Sequence, residues 1–181
     1  MVHMIRENIA RIESSPAGNP GEYNVRLISA GQGSSGFYAG ETLKEYAATA
    51  LPANTLVYLD HTDEDDEVRG GTRTIRDVIG YVSNDPAYDE ATESVEAKIV
   101  FIPSIREDLD VLMKVVGLSI EVHDADISAE GVVESLNYNP LNSIALVPVP
   151  GRGGRVLSKV AESFRNNAEE NEGTDMELTQ E

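Results

Sequence analysis

Two residues of this chain have the types and the settings for nucleophilic catalysis. His61 closes the run Val57-Tyr58-Leu59-Asp60-His61, and Ser119 lies inside Val116-Gly117-Leu118-Ser119-Ile120-Glu121-Val122. Both runs read as the ends of β-strands. The chain has no cysteine and three histidines, His3, His61 and His123. A serine that gives its proton to a histidine is therefore the simplest nucleophile available, and few such pairs can be drawn. A third apolar run, Ser143-Ile144-Ala145-Leu146-Val147-Pro148-Val149-Pro150, leads into Gly151-Arg152-Gly153-Gly154-Arg155. It delivers an arginine-containing, glycine-rich loop at the end of a strand. Taken singly, each residue has an ordinary reading. Ser119 is a small residue in a packed sheet, and His61 is a loop histidine beside acids. His123, four residues after Ser119, falls on the same side if the strand continues.

Other chemistries fit less well. Ser119 is not in a Gly-x-Ser-x-Gly elbow, which disfavours an α/β-hydrolase. The acids around His61 suggest a metal, but the calcium-loop pattern fails, because Val68 stands where the turn glycine would follow Asp63. Gly31-Gln32-Gly33-Ser34-Ser35-Gly36 lacks the Gly-Lys-Ser/Thr ending of a phosphate loop and is not a dinucleotide fingerprint. No metal and no cofactor are expected.

The elements that must position these residues are bounded by composition. The 181 residues suffice for one domain with a core, and 40% are hydrophobic. No run of about 18 apolar residues could span a membrane. The net charge of −18 argues against nucleic acid as a direct partner, since phosphate binding needs clustered Lys and Arg. It favours solubility and a basic protein partner. The absence of cysteine fits an intracellular protein. The charge is uneven: residues 60–67 hold six acids and residues 161–181 hold seven acids and one arginine. Both blocks read as solvated loop or tail.

Along the chain, residues 1–13 read as a short strand or helix and 14–21 as a loop. Strands are expected at 23–28, 56–59, the second half of 73–82, 94–101, 118–122, 131–136 and 143–149. A helix over 40–50 puts Leu43, Tyr46, Ala47 and Ala50 on one face, and Pro52 ends it. Pro103 opens a second helix, with Ile105, Leu109, Leu112, Met113 and Val116 as its stripe. Residues 155–166 read as a third helix leaving the domain. Residues 176–181 read as the start of another helix, as in a processed product or a truncated chain. The fold class is β-rich α+β, a barrel of about six or seven strands flanked by helices.

The order of these segments carries a resemblance. Tyr58-Leu59-Asp60-His61, then Gly117-Leu118-Ser119-Ile120, then Ser143-Ile144-Ala145-Leu146 leading to Gly151-Arg152-Gly153-Gly154 resembles the capsid maturation (prohead) proteases of tailed bacteriophages. Those are themselves similar in fold and site to the herpesvirus assemblin proteases. Residues 27–38 and 73–78 agree as well, and the resemblance covers roughly residues 22–160.

The resemblance implies an assemblin-like β-barrel and a serine endopeptidase. Ser119 would be the nucleophile and His61 the general base. Ser143 falls at the third position, which orients the histidine, and Arg152 matches the arginine that helps hold the oxyanion, with Arg155 a weaker candidate. The family uses histidine or an acid at the third position, so Ser143 is a departure, and Glu121, Asp124 or Asp77 are acids that could substitute. The implied partners are the major capsid protein and a scaffold protein, with no nucleic acid and no membrane, and a homo-oligomer is compatible with this. The implied location is the interior of a phage procapsid within the host bacterial cytoplasm. The domain organisation is then an N-terminal arm and loop over 1–21, a protease domain over 22–160, and an acidic linker or the start of a scaffold region over 161–181. The rival expectations are an inactive protease-fold scaffold or core protein, and a metal-dependent hydrolase built on the acidic loop.

Overall fold

The computed structural model describes residues 5–8, 16–18, 20–148, 158–159 and 161–162. In chain order its strands and helices are β1 (Ile5–Asn8), β2 (Pro16–Gly18), β3 (Glu22–Ser29), β4 (Gly31–Gln32), β5 (Phe37–Tyr38), α1 (Gly40–Ala50), β6 (Leu56–Leu59), α2 (Glu64–Val68), β7 (Val78–Val82), β8 (Ala87–Asp89), β9 (Ser94–Phe101), α3 (Pro103–Leu112), β10 (Gly117–Val122), β11 (Ala125–Ile127), β12 (Val132–Leu136), β13 (Ser143–Val147), β14 (Ser158–Lys159) and β15 (Ala161–Glu162).

The fold is β-rich α+β. Six strands in the order β10-β13-β6-β7-β9-β3 form a barrel-like sheet that nearly closes on itself, since β10 and β3 at its two ends also contact each other. β1 pairs with the free edge of β10 and touches β3, so it lies in the remaining gap. All ladders of this run are antiparallel except β6–β13, which is parallel. Register shifts between Arg26 and Ile28 of β3, and between Val57 and Tyr58 of β6, interrupt the ladders. Such bulges increase local twist and let a sheet curl. At Gly80 the ladder is so close that a Cβ would lie 2.5 Å from the Val100 carbonyl oxygen. A smaller sheet, β11-β12-β5-β4, stands beside the barrel.

Alternation explains which face is inside. In β9 the pattern puts Val95, Ala97, Ile99 and Phe101 in the core, with Glu96, Lys98 and Val100 less buried. α1 buries Leu43, Ala47 and Ala50, the face its periodicity predicts. α3 starts at Pro103 and ends at Leu112, so Val116 of the expected stripe lies beyond it, and only Leu109 of the helix is fully buried. The helix is tied down at Tyr23, whose hydroxyl donates to Asp110 Oδ1 at 2.8 Å while its ring meets Phe101 edge-on. No helix among the described residues is long and apolar enough to cross a membrane.

Two expectations are corrected. The acidic run is not a solvated loop throughout, because it folds as α2. Asp63 accepts from the Asp66 backbone at 2.8 Å and Asp66 Oδ2 accepts from the Asp63 backbone at 3.2 Å, a capping box. Acids in a first helical turn are favoured by the helix dipole, and Asp66 is buried. The helix expected over 155–166 is also not what forms where that segment is described. Ser158–Lys159 adds to β3 opposite Asn24 and Tyr23, and Ala161–Glu162 pairs with β2. The open edge of β3 offers backbone partners that outweigh a weak helical preference.

Candidate active site

The site is built on three neighbouring strands. Ser119 of β10 pairs with Ala145 of β13, which pairs with Tyr58 of β6; Glu121 of β10 pairs with Ser143 of β13. Side chains at paired positions point to the same face. One face of this section therefore carries Leu118, Ile120, Val122, Ile144 and Val57, all in the hydrophobic core. The other carries Ser119, Glu121, Ala145, Ser143 and Tyr58.

His61 reaches this second face through a turn. Parallel pairing of β6 ends at Leu59, and Asp60 then adopts φ +65°. Left-handed backbone is uncommon outside glycine, and aspartate tolerates it because its short side chain can bond locally. Here Asp60 Oδ1 accepts from the His61 backbone at 2.9 Å, and the Asp60 N–H donates to the Leu146 carbonyl at 2.8 Å. Replacing Asp60 by valine should cost about 1–3 kcal/mol in an equilibrium denaturant melt, since a β-branched residue at this φ is strained. Asp60→Gly should cost less, because glycine adopts the same φ freely.

Glu121 is the centre of the arrangement. It is fully buried, yet both of its carboxylate oxygens meet polar groups. Oε1 lies 3.0 Å from His61 Nδ1 and accepts from the Thr62 backbone at 3.2 Å and the Thr62 hydroxyl at 3.1 Å. Oε2 accepts from the Ser143 hydroxyl at 3.1 Å, and Arg73 Nη1 lies 3.6 Å from it. Burial by itself pushes this carboxyl up. The hydrogen bonds of His61 and Thr62 and the charges of His61 and Arg73 oppose it and hold the group at about 2. Glu121 is thus a carboxylate at neutral pH. It places a proton on His61 Nδ1 and leaves Nε2 for another partner. The His61 side chain retains 26% of its exposure.

Of the residues singled out by sequence, the structure brings His61, Ser119 and Ser143 to one face. Ser143 donates to Glu121, and it is Glu121, among the acids considered at the third position, whose carboxylate meets His61. Asp124 instead lies near Asn137. Ser119 is two residues from Glu121 on the same face of β10. Its Oγ is fully buried and has no hydrogen-bond partner among the described residues. The His123 ring lies beside Gly71, where a Cβ would sit 3.3 Å from its Cε1. Arg152 and Arg155 lie outside the described residues. Among the described residues no group of three or more His, Asp or Glu side chains is placed to hold a metal ion.

Two residues that the sequence did not mark complete the site. Thr62 contributes two of the donors to Glu121. Arg73 stacks over Tyr58, 4.2 Å from the ring centroid, and donates to the carbonyls of Leu59 and Asp60 at 3.0 and 2.9 Å. Burial pushes the Tyr58 phenol up, against the pull of Arg73, so the ring is a neutral platform. Tyr58 and Arg73 also line a cavity of about 500 Å³ whose other walls come from Ala50, residues 52–56, 71–72 and 138–142. Comparison of the chain with protein-family models, with curated proteins and with solved structures yields no match.

Proposed function

We propose that this protein is a serine endopeptidase that cleaves scaffold and capsid protein during phage head maturation. The observation that carries the hydrolase reading is the buried Glu121 carboxylate on His61 Nδ1, with Ser119 two residues along the same strand face. A carboxylate in that place holds the imidazole in one tautomer and stabilises the imidazolium that forms when it takes a proton. In the proposed reaction Ser119 Oγ attacks the peptide carbonyl and its proton passes to His61 Nε2. The same proton then goes to the leaving amine, and water releases the acyl group by the reverse path. Arg152 is proposed to face the oxyanion, and Ser143 to act through Glu121. The assignment to capsid maturation rests on the order of the sequence motifs and on a β-rich barrel-like fold consistent with them.

A second reading, a protease-fold scaffold without activity, is favoured by one observation. Ser119 Oγ is sealed and does not hydrogen-bond His61, so catalysis requires that Ser119 become accessible when substrate arrives. Co-expression with capsid and scaffold proteins separates the two. The endopeptidase reading predicts discrete shortened products, with new termini by mass spectrometry. Stable binding of full-length capsid protein without any cut would sink it in favour of the scaffold.

A further inference from the structure

We infer that Arg73 is a positioning residue of this site, acting on His61 through the Asp60 turn and through Glu121. The inference rests on the serine-hydrolase reading for its consequence in catalysis, but its geometry stands by itself. Arg73 is nearly buried, with 5% side-chain exposure. It enters from the segment between α2 and β7 and touches each part that places His61. Two of its nitrogens hold the Leu59 and Asp60 carbonyls, the two residues that lead into His61. Nη1 also faces Glu121 at 3.6 Å, and Nε faces Asp66 at 3.6 Å. The guanidinium plane is set by the Tyr58 ring beneath it.

Only arginine suits this position. Its planar fork reaches two adjacent carbonyls at once, and its delocalised charge stacks on an aromatic face. A residue at φ +65° is held against its own preference, so a clamp on the carbonyls flanking that turn keeps it from relaxing. The charge has a second use. Asp66 and Glu121 are both buried acids, and buried carboxylates need compensation. Arg69 serves Asp66 from the solvent side, whereas Arg73 lies between the two. The charged or titratable groups facing it are Asp66 of α2, Glu121 of β10 and Tyr58 of β6, with Asp77 acting on the same tyrosine from the turn before β7. Arg73 thus joins the turn, the orienting carboxylate and the α2 capping box.

The test uses the full chain and two readouts, one of them independent of proteolysis. The His61 Nδ1–H bound to Glu121 should give a downfield proton resonance protected from exchange. In Arg73→Lys, which keeps the charge and loses the fork, that resonance should broaden or vanish while circular dichroism stays unchanged. Peptide hydrolysis should then lose about 10–100-fold in kcat, the scale of a small misplacement of a catalytic group, with KM within twofold. Arg73→Met combined with Asp66→Asn removes one charge of each sign and serves where Arg73→Met alone does not fold. It should show the same loss. A sharp, protected His61 resonance with wild-type kcat in both variants would overturn the inference. So would a loss confined to KM, which would make Arg73 a substrate-binding residue of the adjoining cavity. If wild type and variants all lack proteolysis, the endopeptidase reading fails, and the resonance alone still decides the role of Arg73.

Discussion

Under the proposed endopeptidase function, replacing Ser119 by alanine is expected to abolish cleavage of capsid and scaffold protein while leaving the fold intact or slightly more stable. The two effects separate because of where Ser119 sits. Its Oγ is fully buried and has no hydrogen-bond partner among the described residues, so removing it deletes an uncompensated polar group. An unmade buried hydrogen bond costs about 1–3 kcal/mol, and the alanine methyl occupies the same strand position beside Ala145. The unfolding midpoint should stay level or rise by up to about 1 kcal/mol equivalent. Activity should fall by at least about 10³-fold and toward about 10⁶-fold, because loss of a nucleophile leaves only substrate binding and the rest of the site. Any drop in cleavage is therefore chemical rather than structural. Undiminished cleavage by Ser119→Ala, assayed on purified substrate, would remove Ser119 from the mechanism. His61→Ala should match it, since nucleophile and base act as one unit.

Glu121→Gln is expected to lower kcat by about 10⁴-fold, the consequence of replacing the carboxylate of a Ser–His–Asp site by its amide. The amide nearly preserves the shape, but it cannot stabilise an imidazolium, and its NH₂ can drive His61 to the other tautomer. The same variant reports on stability. Folding holds this carboxyl at about 2, well below the ordinary glutamate range, so the folded state favours its ionised form. That contribution is complete above about pH 5 and is lost as pH falls from the ordinary carboxylate range toward 2. The depression corresponds to about 3 kcal/mol. Wild type should therefore lose stability steeply between about pH 5 and 2, and Glu121→Gln should lack this component of the acid transition. Superimposable acid-unfolding curves for the two proteins, followed by circular dichroism, would contradict the assigned role of Glu121.

Much of the architecture follows from patterns local in sequence. Alternation in residues 94–101 and the i, i+3, i+4, i+7 spacing of Leu43, Tyr46, Ala47 and Ala50 each select one buried face without reference to the rest of the chain. Pro52 and Pro103 punctuate the helices for the same local reason. The strands around Ser119 and Ser143, β10 and β13, are buried on both faces, with Ser119 and Glu121 among the buried residues. Local preference misleads at residues 158–159 and 161–162, where pairing to β3 and β2 prevails. It misleads again at 60–67, where the acid count suggests solvent while the Asp63–Asp66 capping box folds the run and buries one of its acids.

His61 and Ser119 are visible in the sequence as residue types, and periodicity marks β6, which His61 follows, and β10, which holds Ser119. Which carboxylate meets His61 is not visible there. Glu121 is 60 residues from it, and among Glu121, Asp124 and Asp77 nothing local chooses. The choice is made by register: β10 against β13 and β13 against β6 place Glu121 beside Ser143 and under the Asp60 turn, and a slip of one residue would turn Glu121 into the core. Strand periodicity is set by each residue's own backbone, whereas register and the left-handed turn at Asp60 are set by contacts distant in sequence. The Arg73 bonds to Leu59 and Asp60 span 14 and 13 residues, whereas its approach to Glu121 requires β10 to be in place.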